Sequence, residues 1–192
     1  MSDLVFYFSL GWHHIISIDA LDHQLFILAL ASVYTFKNIR QVLILVTAFT
    51  LGHSLTLALS VLDIIRFSSK WVEFLIPCTI FITAISNILQ LNNKGGSVRL
   101  NYYLALGFGL IHGMGFANAI RIMLAKDQSI GMGLFGFNIG LEAGQIFVVA
   151  LILIVTHIFL TYLKVVRRDW IFFLSSCVFA LAVKMAVVRL PF

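Results

Sequence analysis

Apolar residues run along this chain in six long blocks, at about 20–36, 41–61, 72–91, 102–124, 134–163 and 170–190. Each approaches the roughly 20 residues that an α-helix needs to cross the hydrocarbon core of a bilayer. The pattern predicts an all-α, polytopic membrane protein with about six transmembrane helices. The first block is short and the fifth long, which predicts tilt or extension beyond the membrane. Residues 3–17 are apolar but too few for a span, and read as a short N-terminal interfacial or re-entrant segment packed on the bundle. The blocks are separated by KNIRQ (37–41), DIIRFSSKW (63–71), NNKGGSVRLN (92–101), AKDQSIGMG (125–133) and KVVRRDW (164–170). None of these polar stretches exceeds about a dozen residues, so residues 1–192 are expected to form a single transmembrane helical domain.

Composition agrees. Hydrophobic residues make up 61% of the 192 and charged residues 11%, with a mean hydropathy of +1.04. A soluble domain carries roughly 25% charged residues, so this chain has too little polar surface for water and must use lipid as its solvent. The net charge of +5 sits at helix ends, with no basic patch interleaved with aromatics. That excludes nucleic acid as a partner and fits the Lys/Arg bias of membrane topology instead. With the loops assigned alternately to two sides, side A holds Lys37, Arg40, Lys94, Arg99, Lys164, Arg167 and Arg168. Side B holds Arg66, Lys70, Arg121, Lys126 and Arg189. The excess places side A in the cytoplasm and both termini outside. The start MSDLVFYFSLGWHH carries an acid where a signal peptide has basic residues, so no cleavable leader is expected. Cys78 and Cys177 lie far apart in apolar blocks and read as small core residues.

Ionisable groups inside spans cost about 2.5–3.5 kcal/mol each at mid-membrane on insertion scales, and usually mark function. This chain has many. The first span opens with His13, His14, Asp19, Asp22 and His23 in GWHHIISIDALDHQLF. The second carries His53 in VTAFTLGHSLTLALS, the fourth His112 in GFGLIHGMGFA, and the fifth Glu142 in FNIGLEAGQ. Counted from side B at 1.5 Å per residue, these groups fall within roughly one or two helical turns of a common depth. Asn138, Glu142 and Gln145 share one helix face, as do Thr47, Thr50 and Ser54 beside His53. Gly107, Gly109, Gly113 and Gly115 surround His112, and small residues let membrane helices approach closely. Neutral imidazoles with carboxylates suit a divalent transition metal ion such as Ni, Co or Zn. A Cu(I) site would want sulfur, which these motifs lack apart from Met114. In DxxDH, helical spacing from Asp19 to His23 could let both bind one ion, or let one orient the other. His13 beside Trp12 reads as interfacial, His157 as a packing residue, and Lys184 as snorkelling or paired. Asp63, Glu73 and Asp127 read as solvated loop or helix-end groups.

Taken in order, HHIISIDALDHQLFILAL, LVTAFTLGHSLTLALS, GFGLIHGMGFA and FNIGLEAGQ resemble the HupE/UreJ family of small bacterial membrane proteins. The resemblance covers about residues 9–160. It implies a nickel or cobalt permease of the bacterial inner membrane, associated with hydrogenase and urease accessory functions. By position it implies functional roles for His14, Asp22, His23, His53, His112 and Glu142. Three classes of function follow. The first is a transporter that takes a divalent metal from the outer side, with Thr47, Asn87 and His157 as the available polar steps inward. The alternative is an intramembrane, zinc-type hydrolase with Asp22 or Glu142 as general base, although no HExxH string is present. The third is an accessory protein whose cluster only holds helices together. In each the surrounding partner is membrane lipid.

Overall fold

The computed structural model describes residues 3–92, 98–124 and 130–192. Lys94, Lys126 and Asp127 lie outside these residues, as do the side chains of Arg99 and Arg121. Among the described residues there are seven α-helices: α1 (Asp3–Ile16), α2 (Leu21–Ala31), α3 (Ile39–Val61), α4 (Ser69–Leu89), α5 (Val98–Leu124), α6 (Ile130–Thr161) and α7 (Arg167–Val188). Among the described residues no strand occurs. The apolar blocks from 41 onward correspond to α3 through α7. Among the described residues α3, α4, α6 and α7 are each long and apolar enough to cross a membrane. The bent pair α1–α2 passes the same test as one unit. The remaining expected span corresponds to α5, 27 residues long.

The N-terminal region departs from expectation. At 11 residues α2 is only about 16 Å long, too short to cross a hydrocarbon core of about 30 Å. It is the second half of a broken helix. The first half is α1, and the two are bent by 61° across a 3₁₀ turn at Ile18–Ala20. Residues 3–31 together are long and apolar enough for one crossing broken near its middle, or for a re-entrant loop. A turn of bare backbone inside lipid would leave polar groups unmet, and such breaks survive only where protein or a cavity receives them. Here Gln24 does so: its Nε2 donates toward the carbonyls of Ile15, Ile16 and Ser17 at 3.0–3.2 Å.

Two glycine-lined seams set the helix directions. Leu4 and Tyr7 meet Gly136, Phe8 meets Gly140, and Ile15 meets Gly144, so α1 and α6 run parallel. Phe49 lies on Gly109 and His53 on Gly113, so α3 and α5 also run parallel. Arg167, at the start of α7, donates to the Val33 carbonyl just beyond α2, while Arg189, past its end, reaches Asp22 at the start of α2. The bundle thus has one end, B, where α1, α4 and α6 begin, and an opposite end, A, where α2 finishes. The pair α1–α2 runs from B to A. At the chain reversals after α3 and α6, Asp63 (φ 61°) and Lys164 (φ 53°) take the left-handed conformation. The following N–H groups of Ile64 and Val165 turn back onto the carbonyls of Leu59 and Phe159, a common way to satisfy the last carbonyls of a helix.

The polarity is that of a membrane bundle. Phe172, Phe173, Leu181, Ile154 and Leu151 point outward, while His23, His53, His112, Gln145 and Thr50 are buried. Cys177 is exposed and Cys78 half-buried, and both are free, so neither is the core residue that the sequence predicts. Lys184 and His13 are exposed, in keeping with snorkelling and interfacial positions.

Candidate metal centre

The break between α1 and α2 places two histidines opposite each other. His14 closes α1 and His23 lies in the first turn of α2, with ring centroids 4.7 Å apart. From α3, His53 approaches to 6.1 Å of His23 and 6.4 Å of His14. From α5, His112 lies 5.0 Å from His23. Four helices thus deliver four imidazoles to one spot. His14, His23 and His53 each offer a ligand atom within 4.8 Å of the others, so they could hold one metal ion. His53 is 0% exposed and His112 1%.

The hydrogen bonds of these rings decide which nitrogen is free. The carboxylate Oδ1 of Asp22 accepts from the His23 backbone N–H at 2.9 Å and lies 3.0 Å from its Nδ1. A proton on Nδ1 then leaves the lone pair on Nε2. His112 does the same with backbone: its Nδ1–H donates to the Phe108 carbonyl at 2.8 Å, again freeing Nε2. Fixing one ring nitrogen by a hydrogen bond is how proteins set the tautomer of a metal-binding histidine. Five ring nitrogens are buried without a partner among the described residues: Nε2 of His14, His23 and His112, and both nitrogens of His53. Each unmet buried group costs about 1–3 kcal/mol. A core built only for packing would not collect five in one place.

A cavity of about 330 Å³ leads to the cluster from end B, lined by His14, Ser17, Asp19, Asp22, His23, Glu73, His112 and Arg189 among others. Three carboxylates against one guanidinium make its mouth attractive to cations. Arg189 Nη1 lies 3.4 Å from Asp22 Oδ2, so Asp22 is held between an arginine and a histidine. Aromatic rings close the far wall. Phe116 lies 4.0 Å from His14 and Phe137 stacks on His53 at 6.3 Å, centroid to centroid.

Not every residue singled out in the sequence is here. Asp19 sits in the 3₁₀ turn before α2 begins, exposed at the cavity wall. It does not share a helix face with His23, because helical spacing starts only at Leu21. Glu142 stands apart from the imidazoles, and its Oε1 accepts from Thr47 Oγ1 at 2.7 Å. Beside it Thr50 Oγ1 donates to Gln145 at 2.8 Å, so two of the three polar residues on that face of α6 are engaged by α3. Asn138 Oδ1 is buried and unpartnered. His157 sits exposed at end A, beside Phe36 and Tyr162. Gln24, Arg189 and Glu73, the last read from the sequence as a solvated group, are contributors that the sequence pattern does not reveal as parts of the site.

The family model described as "HupE / UreJ protein" matches residues 1–189. The chain belongs to the HupE/UreJ family. No curated protein and no solved structure matches it. The match spans all four histidine-bearing segments of this family member, together with the break between α1 and α2 and the arginine at 189.

A Glu142→Gln substitution is expected to leave divalent-metal stoichiometry of the purified protein unchanged, since its carboxylate serves Thr47. Loss of stoichiometric metal in that variant, measured by elemental analysis, would instead draw Glu142 into the centre.

Proposed function

We propose that the protein carries a divalent transition metal ion, of the nickel or cobalt type, across the bacterial inner membrane. The ion passes from the cavity at end B to the imidazoles of His14, His23, His53 and His112. The carrying observation is the set of five buried, unpartnered ring nitrogens, three of them on histidines that line a carboxylate-bearing cavity and two on the adjoining His53. Neutral imidazole suits borderline metals such as Ni, Co and Zn, and membership of the HupE/UreJ family supports the first two. Asp19 and Glu73 attract the ion. Asp22 positions His23 and is not itself a ligand. In this reading α5 is a crossing helix alongside α1–α2, α3, α4, α6 and α7, which gives six crossings. The lysines and arginines at end A (Lys37, Arg40, Lys164, Arg167 and Arg168) put that end in the cytoplasm.

The hydrolase alternative is not favoured. The two carboxylates read from the sequence as its general base are both engaged elsewhere. Asp22 is committed to His23 and Arg189, and Glu142 to Thr47.

Proteoliposomes containing the purified chain should take up nickel or cobalt saturably, and those with His53→Ala should match empty vesicles. Equal uptake by the two proteins would refute the transport reading. The Asp22→Asn variant is expected to keep the site but weaken it by about 10–100-fold, because it disturbs the partner that orients a ligand. Titration against a competing chelator measures this, and an unaltered affinity would deny Asp22 its positioning role.

A further inference from the structure

A second cavity, mostly apolar but with polar groups in its wall, lies on the opposite side of the imidazole cluster. It is small, about 30 Å³, and its lining includes Tyr34, Thr83, Ser86, Asn87 and Asn101. Every one of these marks end A. Asn87 and Ser86 are close to the finish of α4, Asn101 is in the first turns of α5, and Tyr34 follows α2. Asn87 Nδ2 donates to the Ala29 carbonyl at 2.7 Å and lies 3.3 Å from Ser32 Oγ. Asn101 Nδ2 donates to Tyr34 Oη at 3.0 Å. Asn87 thus has protein acceptors for both its N–H groups and Asn101 for one of them, while the amide oxygens can serve as acceptors. Acceptor oxygens with room for water are what a partly hydrated divalent cation takes up after leaving imidazole.

Three phenylalanines separate this chamber from the histidines. Phe26 stacks on Phe49 at 4.9 Å and meets Phe108 edge-on at 5.6 Å. Phe26 and Phe108 line the chamber. On the other side Phe26 lies 5.6 Å and Phe49 5.1 Å from the His112 ring, and Phe49 is 6.1 Å from both His23 and His53. Phe26 is 2% exposed and Phe49 1%. An apolar partition this tight stops ions by excluding their water. Phe26 also stands on the same short half-helix as His23, three residues on, beyond the break at 17–20. A discontinuous helix that carries both a ligand and a blocking ring can move one with the other.

We propose that Phe26, Phe49 and Phe108 form the inner gate of the ion path, and that the chamber walled by Tyr34, Thr83, Ser86, Asn87 and Asn101 is its exit site for a partly hydrated divalent cation. The structure is then the state open to end B and closed to end A. The exit site rests on the transport reading, whereas the position of the barrier is tested without metal.

The test uses the full chain with Cys78→Ser and Cys177→Ser, in oriented membrane vesicles, and a membrane-impermeant thiol reagent applied to either side. Ser17→Cys should react from end B only, and Ser86→Cys from end A only. Adding Phe26→Ala, or Phe108→Ala if the first does not fold, should speed modification of Ser86→Cys from end B by about tenfold or more, as removal of an apolar constriction does. Reaction of Ser86→Cys from end B with all three rings in place overturns the gate, as does its failure to react from end A. No acceleration in the opened variants also overturns it. Nickel uptake by the same opened variants should become faster and less saturable, and unchanged saturable uptake would remove the exit role. Failure of the labelling pattern while uptake still depends on His53 sinks the gate alone. The expected labelling with no His53-dependent uptake sinks the transport reading and leaves the barrier standing.

Discussion

Purified His53→Ala and His112→Ala proteins should each hold about a tenth or less of the nickel or cobalt bound by the unaltered chain, because under the proposed function each removes one of only a few protein ligands. His13→Ala and His157→Ala should hold as much as the unaltered chain, since both residues lie outside the cluster. The contrast tests the centre and not mere loss of histidine. A further variant separates a ligand from a core histidine. His53 is fully buried, lies among Phe49 and Phe137, and has neither ring nitrogen satisfied among the described residues. If it were there to stabilise the bundle, replacing it would cost stability. In His53→Phe the volume is roughly kept and two unmet polar atoms disappear. The metal-free protein is then expected to be more stable, by about 1–3 kcal/mol for each unmet group removed, while its metal binding is lost. Thermal unfolding in detergent with a chelator present reads the first effect, and elemental analysis the second. A His53→Phe protein that binds metal normally, or a metal-free form that is clearly destabilised, would make His53 a structural residue.

The sequence foretells the bundle well where one helix makes one apolar run. Blocks 41–61 and 72–91 return as α3 and α4, and the long fifth block as α6. It misreads the N-terminal region, because hydropathy averages over a break that only three-dimensional neighbours stabilise. Gln24, which receives the loose carbonyls at Ile15, Ile16 and Ser17, is an ordinary polar residue in a string. Its one legible clue is a long amide at a position that an unbroken helix would turn toward lipid or neighbours. The histidines are legible as a set because each is costly in its span. Their sorting into ligands and bystanders is not. Glu142 carries the same intramembrane cost as His112, yet a threonine on α3 absorbs it. Arg189, 47 residues beyond Glu142, meets Asp22 only through the path of α7. Spacing along one chain cannot report such meetings, whereas depth from a common end reports the approximate level at which they occur.

Glycine substitutions on α5 should divide sharply by position, with Gly113→Ala abolishing metal binding and Gly107→Ala leaving it intact. The four glycines around His112 look alike in sequence, but a methyl group meets a different environment at each. At Gly107 nothing lies within 4 Å. At Gly113 the new carbon would collide with the His53 carbonyl oxygen and with Thr56 Oγ1. Backbone cannot swing aside as a side chain does, so α3 must move away from α5 at His53, the residue proposed to supply a ligand. Overpacking of this kind costs about 1–3 kcal/mol, occasionally more. The displacement matters beyond that cost, because His53 and His112 reach the centre from these two helices and a ligand set tolerates little drift. Gly109→Ala, which would strike the Phe49 carbonyl, should behave like Gly113→Ala and disturb the phenylalanine partition as well. The measurement is metal stoichiometry together with the melting temperature of each variant in the same detergent. A Gly113→Ala protein with full metal content, or a Gly107→Ala protein without it, would mean that close contact between α3 and α5 is not what assembles the histidines.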